Sequence, residues 1–345
     1  MVVCERTLKG DLMNRFDARL PLDCPTDEEA LADYAELVKK PTQIKLAKWH
    51  SRSEGLELVH DIVIPMDKTG MLSSNRFHYG ARMACDSANS PSVVRNWYIQ
   101  KFRKGLEASV FYEKSPKTAM ALRKYIPAQF RPMAARTIYD LFNAKKVYDP
   151  CMGWGDRLSG ALAQNLEVYY GRDVNPFCFS GYSEQIKRLQ SSTQVSCEMI
   201  GSELSCPEEG YFDLVFTSPP YFKMEKYAGD MQSHALYKTF EQWMEGYLYP
   251  TAKHCLDSVK NGGYVAINIS DVYVNHKMNL ICTPLIQYMR DIGATYLGAI
   301  GYEIGKRINH NNKNSQAQGF CEPVLVFGKG HCKPLEELSQ KYFLL

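Results

Sequence analysis

The run Phe212-Asp213-Leu214-Val215-Phe216-Thr217-Ser218-Pro219-Pro220-Tyr221 carries an apolar segment straight into Ser-Pro-Pro-Tyr. Two prolines remove two backbone donors and end a strand ladder, so the sequence is odd as plain architecture. Chemistry accounts for it. An exocyclic amine on a heteroaromatic ring is a poor nucleophile while its lone pair delocalises into the ring, and acceptors aimed at its N–H groups counter this. The Ser218 side chain and the Pro219 carbonyl can be those acceptors. Pro219 and Pro220 stiffen the turn without adding competing N–H groups, and Tyr221 offers a ring on which an extruded base can stack.

Further upstream, Lys146-Val147-Tyr148-Asp149-Pro150-Cys151-Met152-Gly153-Trp154-Gly155 reads as a short strand entering a glycine-containing turn, with a helical pattern at Arg157–Gln164 after it. Gly153 and Gly155 permit unusual backbone angles and close approach of a ligand to the main chain, as the loop after the first strand of a doubly wound sheet requires. About 20 residues on, Asp173 stands at the end of a second apolar run. There it either accepts hydrogen bonds from the ribose hydroxyls of a nucleoside cofactor or caps a helix beginning at Pro176.

These motifs need a scaffold, and the sequence supplies one. Short Val-, Ile-, Tyr- and Phe-rich runs at Lys146–Tyr148, Glu167–Gly171, Phe212–Phe216, Gly263–Ile269, Tyr296–Tyr302 and Pro323–Phe327 alternate with helical patterns at Arg157–Gln164, Pro176–Arg188 and Phe240–Lys260. That alternation predicts an α/β domain with a mainly parallel sheet. The last two runs, joined by the polar loop Lys306–Gly319, are expected to pair antiparallel at one end of it.

Residues 1–127 carry more helix than strand signals, with starts at Ser90-Pro91 and Ser115-Pro116. Between Lys68 and Lys146, fifteen Lys and Arg face four carboxylates, a net of +11 within a chain whose formal charge is only +3. Phe77, Tyr79, Trp97, Tyr98, Phe102, Phe111, Tyr112 and Tyr125 interleave with Arg76, Arg82, Arg95, Lys101, Arg103, Lys104 and Arg123. Two readings stay open: a helical unit with an aromatic core and a solvated basic face, or a surface for a polyanion.

Composition excludes several classes. At 345 residues with 45% hydrophobic and 23% charged residues, the chain is neither disordered nor fibrous. Eleven cysteines are scattered with no C-x-x-C pair, and eight histidines show no H-x-x-x-H or H-E-x-x-H spacing, so neither a metal site nor a redox dithiol is expected. No secretory leader pattern and no membrane-length apolar run stands out, which predicts a soluble cytoplasmic protein with reduced thiols.

Asp149-Pro150-x-x-Gly153-x-Gly155 followed by Thr217-Ser218-Pro219-Pro220-Tyr221 resembles the amino-methyltransferases of DNA. The resemblance spans residues 125–330. It implies a Rossmann-like fold with a mixed seven-stranded sheet, S-adenosylmethionine as cofactor, DNA as partner, and no metal. Ile126–Pro132 with the helix after it is similar to the family's additional cofactor segment, and Glu322–Phe327 to its closing strand. By position the family implies cofactor contacts at Phe130, Asp149, Pro150, Gly153 and Gly155, at Asp173 for the ribose, and at Ser202 or Glu203 for the adenine; catalysis falls to Ser218, Pro219, Pro220 and Tyr221. The segment Ile200-Gly201-Ser202-Glu203 departs from the family in lacking an acid directly after the glycine. The Ser-Pro-Pro-Tyr form is typical of cytosine-N4 members, whereas adenine-N6 members usually carry Asp or Asn before the prolines.

Recognition of the target is expected in the N-terminal region, at Arg76, Arg82, Arg95, Lys101, Arg103 and Lys104, with contributions from the loops Phe222–His234 and Lys306–Gly319. The resulting division is a mainly helical DNA-binding region at 1–125, a methyltransferase domain at 126–330 and a tail at 331–345. The alternatives are adenine-N6 methylation, an RNA or protein amide methyltransferase, and a non-catalytic DNA-binding module on a methyltransferase fold. Restriction protection, viral self-marking and regulation would all use the same chemistry, in a bacterial or virus-infected cell.

Overall fold

In the computed structural model, residues 24–53, 55–87, 91–108, 126–227, 231–274, 277–304 and 319–343 are described. The positions Ser90, Phe111, Tyr112, Arg123 and Tyr125, the start at Ser115-Pro116, and residues 306–318 of the polar loop lie outside them.

Among the described residues, fourteen strands run in chain order as β1 (Lys45–Leu46), β2 (Trp49–His50), β3 (Val59–Ile64), β4 (Asp86–Ser87), β5 (Lys146–Asp149), β6 (Val168–Arg172), β7 (Gln194–Glu198), β8 (Phe212–Thr217), β9 (Glu225–Lys226), β10 (Val259–Asn268), β11 (Val272–Val274), β12 (Lys277–Asn279), β13 (Thr295–Glu303) and β14 (Gly319–Gly328). The main sheet has the order β1-β3-β13-β14-β10-β8-β5-β6-β7, with β2 paired to β14. Strands β10, β8, β5, β6 and β7 are parallel, and β14 lies antiparallel between β10 and β13. The seven strands that the resemblance implies are therefore present as β13-β14-β10-β8-β5-β6-β7, with β13 and β14, the two runs flanking the polar loop, antiparallel. The upstream region extends them to a 10-stranded sheet. Because β3 lies parallel beside β13, this region shares the main sheet and is not helical alone.

The helices are α1 (Asp27–Lys39), α2 (Met71–Met83), α3 (Val93–Trp97), α4 (Gln100–Glu107), α5 (Pro132–Leu141), α6 (Asp156–Gln164), α7 (Pro176–Arg188), α8 (Tyr249–Ser258) and α9 (Cys282–Asp291), with short turns besides. A capping box of Thr26 and Glu29 starts α1, while Pro132 and Pro176 open α5 and α7 at the position where a missing N–H costs nothing. Ser92 caps α3 by accepting the Arg95 N–H, so the helix starts at Val93, two residues beyond the Ser90-Pro91 start read from the sequence.

One face of the sheet packs against α1, α5, α6 and α7 through Leu37, Ile138, Leu158 and Tyr182. The opposite face packs against α8 and α9 through Ala252, Cys255, Leu285 and Met289. Covered on both sides, β8 is buried at five of its six positions, which is why its sequence is a continuous apolar run. The helix expected over Phe240–Lys260 is interrupted by a π-turn at Met244–Leu248 and ends at Ser258. Pro250 lies just beyond that turn and has no N–H to continue the regular ladder. β7 was not legible in the sequence because Gln194-Val195-Ser196-Cys197-Glu198 is an edge strand with only half-buried or exposed side chains.

Candidate active site

The parallel strands β10, β8, β5, β6 and β7 deliver their C-terminal ends to one edge of the sheet, where two adjoining hollows open beside β5 and β8. Asp149 arrives there fully buried. Arg157 Nε donates to Asp149 Oδ2 at 2.8 Å and Nη2 to Oδ1 at 3.2 Å, Tyr169 Oη donates at 2.7 Å, and the Cys151 N–H donates at 3.2 Å. Arg157 also donates to the Cys151 carbonyl. This buried ion pair fixes the shape of the loop. Asp149, expected to touch a cofactor, instead sits beneath the loop and lines neither hollow.

Gly153 and Gly155 both have positive φ, +58° and +68°. They use that freedom differently. A Cβ at Gly155 would overlap Gln185 Oε1 and stand 2.7 Å from His78 Nε2, so this glycine serves close packing at the start of α6 and also lies away from the hollows. A Cβ at Gly153 would meet nothing nearer than Cys151 O at 3.9 Å, and Gly153 lines both hollows.

The first hollow brings together Pro150, Gly153, Trp154, Asp173, Ser202, Glu203, Ser218 and Pro220. Asp173 accepts the Gly153 N–H at 2.7 Å through Oδ2 and the Asn175 N–H at 2.8 Å through Oδ1. Burial pushes its carboxyl up to about 6, against those two hydrogen bonds. The capping role left open for Asp173 belongs to Asn175, which accepts the Phe177 N–H at 3.2 Å. Ser202 Oγ lies 2.9 Å from Thr251 Oγ1, and burial raises the Glu203 carboxyl. From the π-turn, Tyr247 Oη reaches Cys151 Sγ at 3.3 Å; burial pushes that thiol up to about 12.

Ser218 lines both hollows, Pro220 the first, and Pro219 and Tyr221 the second, so the proline turn forms the partition between them. Ser218 makes no side-chain hydrogen bond among the described residues. The second hollow adds Phe130, Arg131, Asp156, Asn268, Tyr302 and Glu322. Phe130 stacks on Tyr302 with ring centroids 4.7 Å apart at 8°, and Arg131 Nε donates to Tyr302 Oη at 2.8 Å. Tyr221 Oη donates to Glu322 Oε2 at 3.4 Å. Asp156, almost fully buried, is hydrogen-bonded by Ser74 and by Gln129 Nε2 at 3.0 Å, and burial pushes its carboxyl up to about 7.

Sequence reasoning missed Asp156, Asn268, Tyr302 and Glu322 as parts of the site. Asp156 directly follows Gly153-x-Gly155, and Glu322 opens the closing strand, so a positional signal existed for these two. Nothing local marks Asn268 or Tyr302.

The upstream region borders this edge. β4 pairs antiparallel with β9, tying the loop after Tyr221 to the chain between α2 and α3. Tyr79, Met83, Val93 and Trp97 form a small core, so the aromatics here are largely structural. The six cations singled out in the sequence divide sharply. Arg76 pairs with Asp27 at 2.7 Å, Arg95 with Asp86, and Arg103 with Glu107 at 4.0 Å. Arg82 donates to Asn75 Oδ1 at 2.8 Å and to the Pro127 carbonyl at 2.9 Å, on the wall of the second hollow. Lys101 and Lys104 are exposed and have no ion-pair partner among the described residues. Among those residues no group of three or more His, Cys, Asp or Glu could hold a metal, and no helix is long and apolar enough to cross a membrane.

Residues 212–342 match the family model of the N6 and N4 methyltransferases, described as DNA methylase. The resemblance read from the motifs holds over that stretch. Over residues 212–342 the chain is therefore similar to the DNA methylase family, and the match does not separate N4 from N6. No curated protein matches the sequence. Among solved structures, the chain is similar to a methyltransferase from Pyrococcus furiosus at 16% identity and TM-score 0.40, covering 66% of this chain and 98% of that one. It is similar also to TrmN from Thermus thermophilus at 16% identity and TM-score 0.40, covering 57% and 48%. Likeness this distant has no bearing on substrate.

Proposed function

With that family match as premise, we propose that the protein is a DNA amino-methyltransferase that methylates N4 of a cytosine turned out of DNA, using S-adenosylmethionine. The observation that carries this reading is Ser218, common to both hollows and followed by two prolines. The cofactor supplies a methyl group activated by a sulfonium. The first hollow suits it: Gly153 leaves room for close approach, Asp173 offers carboxylate oxygens beside it, and Ser202 and Glu203 close the far wall. In the second hollow, Ser218 Oγ and the Pro219 carbonyl accept from the amine, which keeps its lone pair out of the ring and aimed across the partition, while Tyr221 and Phe130 provide aromatic faces for the base. Among the described residues Cys151 is the one thiol lining the hollows, and at about 12 it stays protonated at neutral pH. That favours direct transfer to an amine over attack by a thiolate on a ring carbon. Lys101 and Lys104 on α4 offer charge to the DNA backbone.

The test is mass spectrometry of nucleosides from DNA incubated with the purified protein and labelled cofactor. N4-methylcytosine is expected; N6-methyladenine as the product would overturn the cytosine assignment, and label in RNA or protein alone would overturn DNA as the substrate. Ser218→Ala and Tyr221→Ala should lose methylation while retaining cofactor binding.

A further inference from the structure

We propose that Glu322 is the proton acceptor of the transfer, working with the hydroxyl of Tyr221. The inference rests on the amino-methyltransferase reading of the site. As the new N–C bond forms, the C–S bond breaks with its electron pair going to sulfur, and the amine nitrogen is left with one proton more than the product holds. That proton needs a base.

The catalytic turn contains none. Ser218 Oγ and the Pro219 carbonyl accept hydrogen bonds, but a protonated alcohol or amide is too strong an acid to hold a proton in water. Among the described residues, the second hollow contains two carboxyl groups, Asp156 and Glu322. Asp156 is engaged by Ser74 and Gln129 on the α2 side. Glu322 instead meets the turn itself: Tyr221, three residues after Ser218, donates to its Oε2 at 3.4 Å. The fold holds it there. Glu322 lies directly opposite Tyr302 in the β13–β14 ladder, so both side chains project from the same face of the sheet, and Tyr302 is anchored by Phe130 and Arg131. Pro323 next to it gives its carbonyl to Asn268 Nδ2 at 3.1 Å, fixing the strand at the lip of the hollow. The proton passes from the amine to Glu322 directly, or to the Tyr221 oxygen as the Tyr221 proton moves to Glu322. Among the described residues, the ionisable groups lining the same hollow are Tyr221 and Tyr227 on and after the turn, Tyr302 on β13, Arg131 before α5, Cys151 on the first turn, Asp156 and Arg157 on α6, and Lys68 and Arg82 on the α2 side.

Single-turnover methylation of DNA by the full chain, followed from acid to mildly alkaline pH, tests this. Removing a general base costs about 10²–10⁴-fold in rate. Glu322→Gln, which keeps the size and an acceptor oxygen, should lose rate in that range and flatten the acid limb of the profile. Glu322→Asp should recover part of the rate and keep the limb. Calorimetric binding of the demethylated cofactor and the melting temperature should match wild type in both variants. An unchanged rate and profile in Glu322→Gln, or loss of cofactor binding in parallel with loss of rate, would overturn the proposal. A wild-type protein that leaves DNA unmethylated would refute the function itself, which is a separate outcome.

Discussion

Gly153 and Gly155 share a motif and a backbone conformation, yet substituting them should produce opposite defects. At Gly155, with φ +68°, an L-residue costs about 1–2 kcal/mol in backbone conformation alone. Its Cβ would also displace Gln185, a fully buried side chain whose Nε2 donates to the Gly155 carbonyl at 2.8 Å and to Ser159 Oγ at 2.7 Å, and whose Oε1 lies 3.0 Å from His78 Nε2. Each buried group left without a partner costs about 1–3 kcal/mol. Losing two of these bonds brings the total for Gly155→Ala to about 3–8 kcal/mol, a large part of the ~5–15 kcal/mol that holds a typical protein folded. Gly153→Ala meets only open space and should cost about 1–2 kcal/mol, but its methyl intrudes where both hollows meet. Urea unfolding followed by tryptophan fluorescence should therefore show a severe loss for Gly155→Ala and a mild one for Gly153→Ala. Calorimetric titration with S-adenosylmethionine should show at least about a tenfold loss for Gly153→Ala, equivalent to about 1.4 kcal/mol. Equal destabilisation of the two variants would refute the reasoning, as would wild-type cofactor affinity in Gly153→Ala.

Other consequences concern charge. Burial raises the Asp156 carboxyl from 3.8 to about 7, so in that interval the folded chain keeps a proton that the unfolded chain releases. Its contribution to stability is therefore greatest below about pH 4, declines as pH rises towards 7, and is level above; about three units correspond to about 4 kcal/mol. Asp156→Asn does not titrate, so its stability relative to wild type should climb by about that amount across the window in urea titrations at stepped pH, and parallel curves would count against the assignment. Lys101→Ala with Lys104→Ala should weaken DNA binding and lower the slope of log affinity against log salt by about 2, whereas Arg76→Ala should leave that slope unchanged, as its charge already meets Asp27.

The sequence by itself determined the order of six strands and three helical stretches from Lys146 onwards, without the edge strand β7, together with the two glycines at the first turn and the proline turn at the end of β8. These are local signals: apolar period, capping residues, and residues whose backbone freedom or restriction admits few conformations. It also brought Ser218, Pro220, Gly153 and Asp173 to one edge, since parallel strands deliver their C-terminal ends together. Only the tertiary structure decided what each polar residue faces. Asp149 and Gly155 turned inward because Arg157, Gln185 and His78 converge on them from other elements. Four of the six selected cations lost their availability to nearby carboxylates or backbone oxygens. Glu322 reached the catalytic turn because β14 runs back antiparallel between β10 and β13, and Tyr302 and Asn268 came with those neighbours. Side-chain direction at such positions depends on register and on partners in other elements, some of them far off in sequence, such as the 101 residues separating Tyr221 from Glu322. Local patterning does not encode which of those distant groups will meet.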